Sequence, residues 1–190
     1  IIHCHSYNSA TTLLGILANS KKKKCIVTFH SSGMGRWINS LLHIPYSILM
    51  LFIKNKVNKF ICVSDFEKIR FSKKLRIKED KLLVIENGLD FNEFKEVNKI
   101  KSDKNLIVSV GRLAKYKGFH NVIMGFSEAI KHNPNLRLEI LGKGDYELNL
   151  KKLVKKLNLE KEIKITYLER KEMLKHLAKS NTFILLSKYE

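Results

Sequence analysis

A chain of 190 residues accommodates one ordinary domain or two small ones. Its 44% hydrophobic and 28% charged residues, with only two Pro and nine Gly, exclude the collagen-like and low-complexity disordered classes. Lys and Arg number 36 against 18 Asp and Glu, so the formal charge is +18, and the excess is spread along the chain rather than gathered in a tail.

In chain order, short apolar runs alternate with segments of helical period. The sequence predicts strands at 1–4 (IIHC), 25–29 (CIVTF), 59–64 (KFICVS) and 81–86 (KLLVIE). Four more are predicted at 106–110 (LIVSV), 136–141 (LRLEIL), 163–167 (IKITY) and 182–187 (TFILLS). Helices are predicted over 9–18, 37–54, 65–74, 118–132, 146–157 and 171–179. The clearest helical stripe is Phe119, Val122, Ile123, Phe126, Ala129 and Ile130. In 146–157, Lys151, Lys152, Lys155 and Lys156 face away from the apolar stripe and read as a solvated face.

Strands that are apolar on both faces and separated by helices imply parallel sheets covered on both sides, an α/β protein. The alternation lapses between Asn87 and Lys104, where a turn at Asn87-Gly88 leads into charged residues. Two α/β domains are therefore expected, 1–99 and 100–190. Ligands of such sheets lie at the carboxyl ends of the strands.

Cys4, Cys25 and Cys62 each sit in an apolar run, too few and too separated for a disulfide framework, which points to a reducing compartment. The longest apolar stretch, 47–53, is far short of the ~20 residues of a membrane-spanning helix. The opening IIHCH reads as a core strand rather than a signal peptide, and both ends read as cut, so an internal fragment is expected.

The stretch LIVSVGRLAKYKGF at 106–119 carries the most chemistry. A buried strand ends at Gly111, where a missing side chain admits a ligand to the backbone; Arg112 follows, and Lys117 stands just before a helix. Two cations and a helix N-terminus aimed at one crevice suit phosphate or diphosphate. The Walker sequence GxxxxGK[ST] is absent. From residue types alone, a surface loop with two solvated cations fits equally well.

In order and spacing, this stretch together with TFHSSG at 28–33, VIENGLDFNEF at 84–94, LEILGKGDYELNL at 138–150 and FILLSKYE at 183–190 resembles the retaining nucleotide-sugar glycosyltransferases of family 4 (glycosyl transferases group 1), which have the GT-B double Rossmann-like fold of two parallel-sheet domains. The resemblance covers almost the whole chain. It implies that 1–99 is the C-terminal part of the N-terminal, acceptor-side domain and 100–190 the first part of the donor domain, truncated at both ends and inactive alone. It further implies transfer of a sugar from a nucleotide sugar to a glycan or lipid-linked acceptor with retention, by a hexosyltransferase-type enzyme of polysaccharide biosynthesis. The setting implied is the cytoplasm or the cytoplasmic face of the membrane.

Carried over by position, the family's diphosphate-binding cations fall on Arg112 and Lys117, beside Gly111. The Glu that opens its Glu-x7-Glu motif falls on Glu190, and the His beside the reacting sugar falls on His30. Gly142, Gly144, Thr166 and Tyr167 border the implied nucleotide pocket. Neither cofactor nor metal is expected, because the family uses cationic side chains where other glycosyltransferases use a divalent ion. The chain has Thr166 where the family often has Gly and Leu186 where it often has Pro, so the donor base (UDP, GDP or ADP) stays open.

Other readings compete. His3 and His5 share a strand face with His30 nearby, a zinc pattern weakened by Cys4 pointing to the opposite face. Trp37, Leu41, Leu42, Tyr46, Leu49 and Phe52 suit either burial on a sheet or peripheral membrane contact. The charge of +18 raises a basic nucleic-acid-binding module, but the cations are scattered, mostly Lys, and without aromatic interleaving, so no nucleic acid is expected. A non-catalytic GT-B-like protein is the third alternative.

Overall fold

The computed structural model describes residues 1–7, 9–19, 23–30 and 48–188. The chain divides into two compact units, Ile1–Gly88 and Leu89–Tyr189.

The first unit is built on a parallel sheet in the order β1 (Ile2–His5), β2 (Cys25–Thr28), β3 (Lys59–Cys62) and β4 (Leu82–Val84). Its helices are α1 (Ala10–Leu17) and α2 (Asp65–Leu75), and residues 48–53 are also helical. Cys25, Val27, Phe60 and Cys62 are fully buried, which is what apolar strands under helices require. Phe29 stacks on Phe71 at 4.0 Å between ring centroids and on Phe60 at 5.5 Å, and Tyr7 meets Phe71 edge-on.

Local signals set the ends of α2. Ser64 accepts from Glu67 N–H (3.3 Å), while the Glu67 carboxylate accepts from Val63 N–H (3.0 Å), a variant of the capping box. At the other end Lys54 Nζ donates to the carbonyls of Leu75 (2.9 Å) and Arg76 (2.6 Å), placing a cation where the helix dipole is negative.

The second unit is a parallel sheet in the order β7 (Ile163–Thr166), β6 (Arg137–Leu141), β5 (Asp103–Val110) and β8 (Ser180–Phe183). Between the strands run α3 (Phe119–His132), α4 (Glu147–Lys156) and α5 (Arg170–Lys179). The α3 stripe packs as its period requires: Phe119, Val122, Ile123 and Phe126 are buried with Leu138, Ile140, Leu150 and Val154. Each predicted strand corresponds to an observed one, which makes this the α/β fold of two parallel sheets that the alternation implied.

Three details differ from expectation. The unit boundary falls at Gly88 rather than near Lys99, because residues 89–97 fold onto α5: Glu93 pairs with Arg170 (2.6 Å) and Glu96 with Lys171 (3.0 Å). The strand β5 begins earlier than its apolar run, since Asp103 pairs with Arg137 on β6 and aligns with Ser180 on β8. The run 182–187 is not a buried strand. Its ladder is Ser180–Phe183, at the edge of the described sheet, which leaves Phe183, Leu185 and Leu186 well exposed.

The cysteines are free, and burial pushes their thiols up, Cys62 to about 11. Trp37, Leu41, Leu42 and Tyr46 lie outside the described residues. Of the rest of that stretch, Met50 and Ile53 are buried and Phe52 is 77% exposed. Among the described residues no helix is long and apolar enough to cross a membrane.

Candidate functional site

The carboxyl edge of the second sheet gathers the sequence-predicted residues other than His30 and Glu190. β5 ends at Val110, and Gly111 N–H donates to Leu141 O on β6 (3.0 Å). Leu113 N–H donates to Lys143 O (3.1 Å), and Tyr146 N–H returns to Leu113 O (2.9 Å), so the loops after β5 and β6 are joined along their backbones. A Cβ on Gly142 would overlap the Gly111 carbonyl, and one on Gly144 would overlap the carbonyl of Leu113. Glycine is required here by close approach of two chains.

The neighbouring loops are tied to the same edge. Gly142 N–H donates to Thr166 O at the end of β7 (2.8 Å), and Lys188 N–H, beyond β8, donates to Tyr116 O (2.8 Å). Gly118 has φ 72 and opens α3 without a side-chain cap; a Cβ there would overlap the Leu186 carbonyl. Gly111, Gly142, Gly144, Thr166 and the turn holding Lys117 therefore surround one edge.

Its side chains are cationic. Arg112 is exposed, and its guanidinium makes no hydrogen bond or ion pair among the described residues. Lys117 is half-buried, with Nζ 5.5 Å from the centroid of the Tyr116 ring. Lys143 Nζ lies 4.3 Å above the Tyr167 ring, a cation–π contact that sequence reading did not find. With an uncapped helix N-terminus alongside, this edge favours an anion.

Two further groups were missed. His120 Nδ1, in the first turn of α3, and Ser187 Oγ, beyond β8, are buried with no hydrogen-bond partner among the described residues, each costly in a closed fold. The only sequence signal for either was position beside a strand end. Glu190 lies outside the described residues.

In the first unit, His30 follows Phe29, whose N–H donates to Ile61 O (2.8 Å), so His30 stands at the carboxyl edge of that sheet. It is exposed, and its Nε2 lies 2.7 Å from Nδ1 of His5. The two rings are 12° from parallel with centroids 5.0 Å apart, side by side as the bond between their edges requires, and His3 packs on His5 at 4.5 Å. His3 turns its Nε2 to Thr28 Oγ1 (2.7 Å) rather than toward the pair, and among the described residues no group of His, Cys, Asp or Glu is arranged to hold a metal ion. Ser6, next after His5, sits in the left-handed region at φ 67, where the chain turns away from the strand.

Comparisons with known proteins agree with this layout. Residues 90–190 match the model of glycosyl transferases group 1, and residues 1–93 match that of glycosyltransferase family 4. An uncharacterized glycosyltransferase of Methanocaldococcus jannaschii is 28% identical over 74% of this chain and 34% of its own length. The capsular polysaccharide biosynthesis glycosyltransferase CapM of Staphylococcus aureus is 28% identical over 54% of this chain and 31% of its own. Among solved structures, Anabaena HepE in complex with UDP and glucose superposes with a TM-score of 0.72 at 16% identity, over 93% of this chain and 50% of that one. The chain thus spans about a third of the length of the curated relatives it matches.

Proposed function

Because this chain belongs to the glycosyl transferases group 1 family, we propose that the protein carrying it transfers a sugar from a nucleotide-sugar donor to a glycan or lipid-linked acceptor with retention of anomeric configuration. The observation that carries the reading is the carboxyl edge of the second sheet, where Arg112, Lys117 and Lys143 stand on backbone-joined loops beside the uncapped N-terminus of α3. A departing nucleoside diphosphate gains negative charge as the glycosidic bond breaks, and fixed cations stabilise that charge most in the transition state. In this reading Arg112 and Lys117 hold the diphosphate and take the place of a divalent ion. The glycine crossings at Gly111, Gly142 and Gly144 let it approach the backbone, and Tyr167 with Thr166 borders the base. His30, in the other unit, serves the reacting sugar, and Glu190 contacts the donor sugar.

UDP is the first donor base to test, because HepE was solved with it. The acceptor in this reading is a glycan or lipid-linked glycan, in line with CapM's part in capsular polysaccharide biosynthesis, and peripheral membrane contact would serve a lipid-linked one.

The test is a donor screen on the full-length protein, read by nucleotide release from UDP-, GDP- and ADP-sugars with the anomeric configuration of the product fixed by NMR. Turnover of one donor with a retained product supports the reading. No release from any donor, or an inverted product, overturns it.

A further inference from the structure

We infer that His5 is a positioning residue for His30, holding its imidazole through the 2.7 Å Nδ1–Nε2 hydrogen bond so that Nδ1 of His30 is the nitrogen left for the donor sugar. The role of His30 rests on the function proposed above; the coupling between the two rings rests on geometry alone.

A hydrogen bond between two imidazole nitrogens needs one N–H and one lone pair. If His5 Nδ1–H donates, His30 must carry its own proton on Nδ1 and offers the ligand a donor. If His30 Nε2–H donates, its Nδ1 offers a lone pair. Either way the bond ties the tautomer of His30 to that of His5, as the partner of one ring nitrogen fixes the other.

His5 is well placed to impose this. Its backbone carbonyl accepts from Thr12 Oγ1 (3.1 Å), a side chain buried at the start of α1. Its position opposite Thr28 in the β1–β2 ladder sets it two residues from His30 across the sheet edge. The His3 ring packs against it, tilted by 33°, and is itself held by Thr28 Oγ1. His30, by contrast, is exposed beyond the last rung of β2, and among the described residues the His5 bond is the one polar contact on its ring. Without it the side chain is free to turn among rotamers, and a group in the wrong orientation does not act on a bound sugar.

Two variants in the full-length protein separate the hydrogen bond from packing. His5→Phe keeps an aromatic ring beside His3 and His30 but removes the polar atom; His5→Asn loses the ring but keeps a polar atom near the Nδ1 position. Turnover of UDP-glucose, or of whichever donor the screen identifies, should fall about tenfold to hundredfold in His5→Phe, the range for losing an outer partner of a functional histidine. It should stay within about threefold of wild type in His5→Asn, with UDP affinity unchanged in both. His5→Phe combined with His30→Ala should be no slower than His30→Ala alone. Imidazole ¹H–¹⁵N correlation spectra supply a readout that needs no turnover: His30 should show one fixed tautomer in wild type and an averaged one in His5→Phe. Equal turnover in His5→Phe and wild type, additive losses in the double variant, or a His30 tautomer indifferent to His5 would overturn the inference. Should the wild type turn over no donor, the function proposed above fails, and the spectra still decide whether His5 governs His30.

Discussion

Substituting alanine for two glycines only seven residues apart should move stability in opposite directions. Gly118 sits at φ 72, and its Cβ position is occupied by the backbone of Leu186. Alanine there meets the left-handed penalty of roughly 1–2 kcal/mol, and it must also push away a segment anchored by the bond from Lys188 N–H to Tyr116 O. A total cost of about 2–3 kcal/mol follows, of the size typical for strain at a special backbone position. Gly125 lies within α3 on its exposed side, with nothing near its Cβ position. Alanine there removes only the entropic penalty of glycine in a helix and should stabilise by about 0.5–1 kcal/mol.

Because the two units need not unfold together, the measurement is native-state hydrogen exchange of the β5 and β6 amides in the full-length protein. Gly118→Ala should speed their exchange by roughly 30- to 140-fold, and Gly125→Ala should slow it by about two- to fivefold. Gly118→Ala with unaltered protection would show that the segment after β8 does not pack against the start of α3. The reasoning about that edge would then be wrong.

Arg112→Ala and Lys117→Ala should each weaken UDP binding by about 1.5–3 kcal/mol in calorimetric titration while leaving uridine nearly unaffected, since the lost contacts are charge-assisted and uridine has no phosphates. Ser64→Ala should lower the stability of the first unit by about 1 kcal/mol in urea unfolding, from loss of the α2 cap. Cys62, with its thiol pushed up to about 11, should resist iodoacetamide near neutral pH in peptide mapping and react at appreciable rate only in strong alkali. The sign for stability follows from linkage: the folded state keeps the proton that the unfolded chain releases near pH 9. The contribution is therefore intact below pH 9 and is lost as pH rises toward 11, which unfolding midpoints across that window would show.

The strands and helices were legible because each is written in local terms: apolar runs of strand length and a 3.6-residue stripe in α3. The glycines and cations of the 106–119 stretch were legible for the same reason, being adjacent in sequence and bounded by a strand and a helix. What was not legible depends on partners distant in the chain. Residues 89–97 read as a linker because Glu93 and Glu96 find Arg170 and Lys171 only once α5 is in place. The exposure of Phe183 and Leu186 follows from β8 pairing, among the described strands, with β5 alone, which an apolar run does not announce. Lys143 gained meaning only when β7 brought Tyr167 beneath it, and the bond between His5 and His30 required two strands to lie side by side.

Hydrogen–deuterium exchange of the full-length protein with and without saturating UDP tests the proposed nucleotide site most directly. Residues 111–118, 142–146 and 184–188 should become protected together, and Arg112→Ala should abolish most of that protection. Saturable binding that protects none of these three segments, or no binding of UDP, GDP or ADP, would contradict a donor diphosphate held at the carboxyl edge of the second sheet.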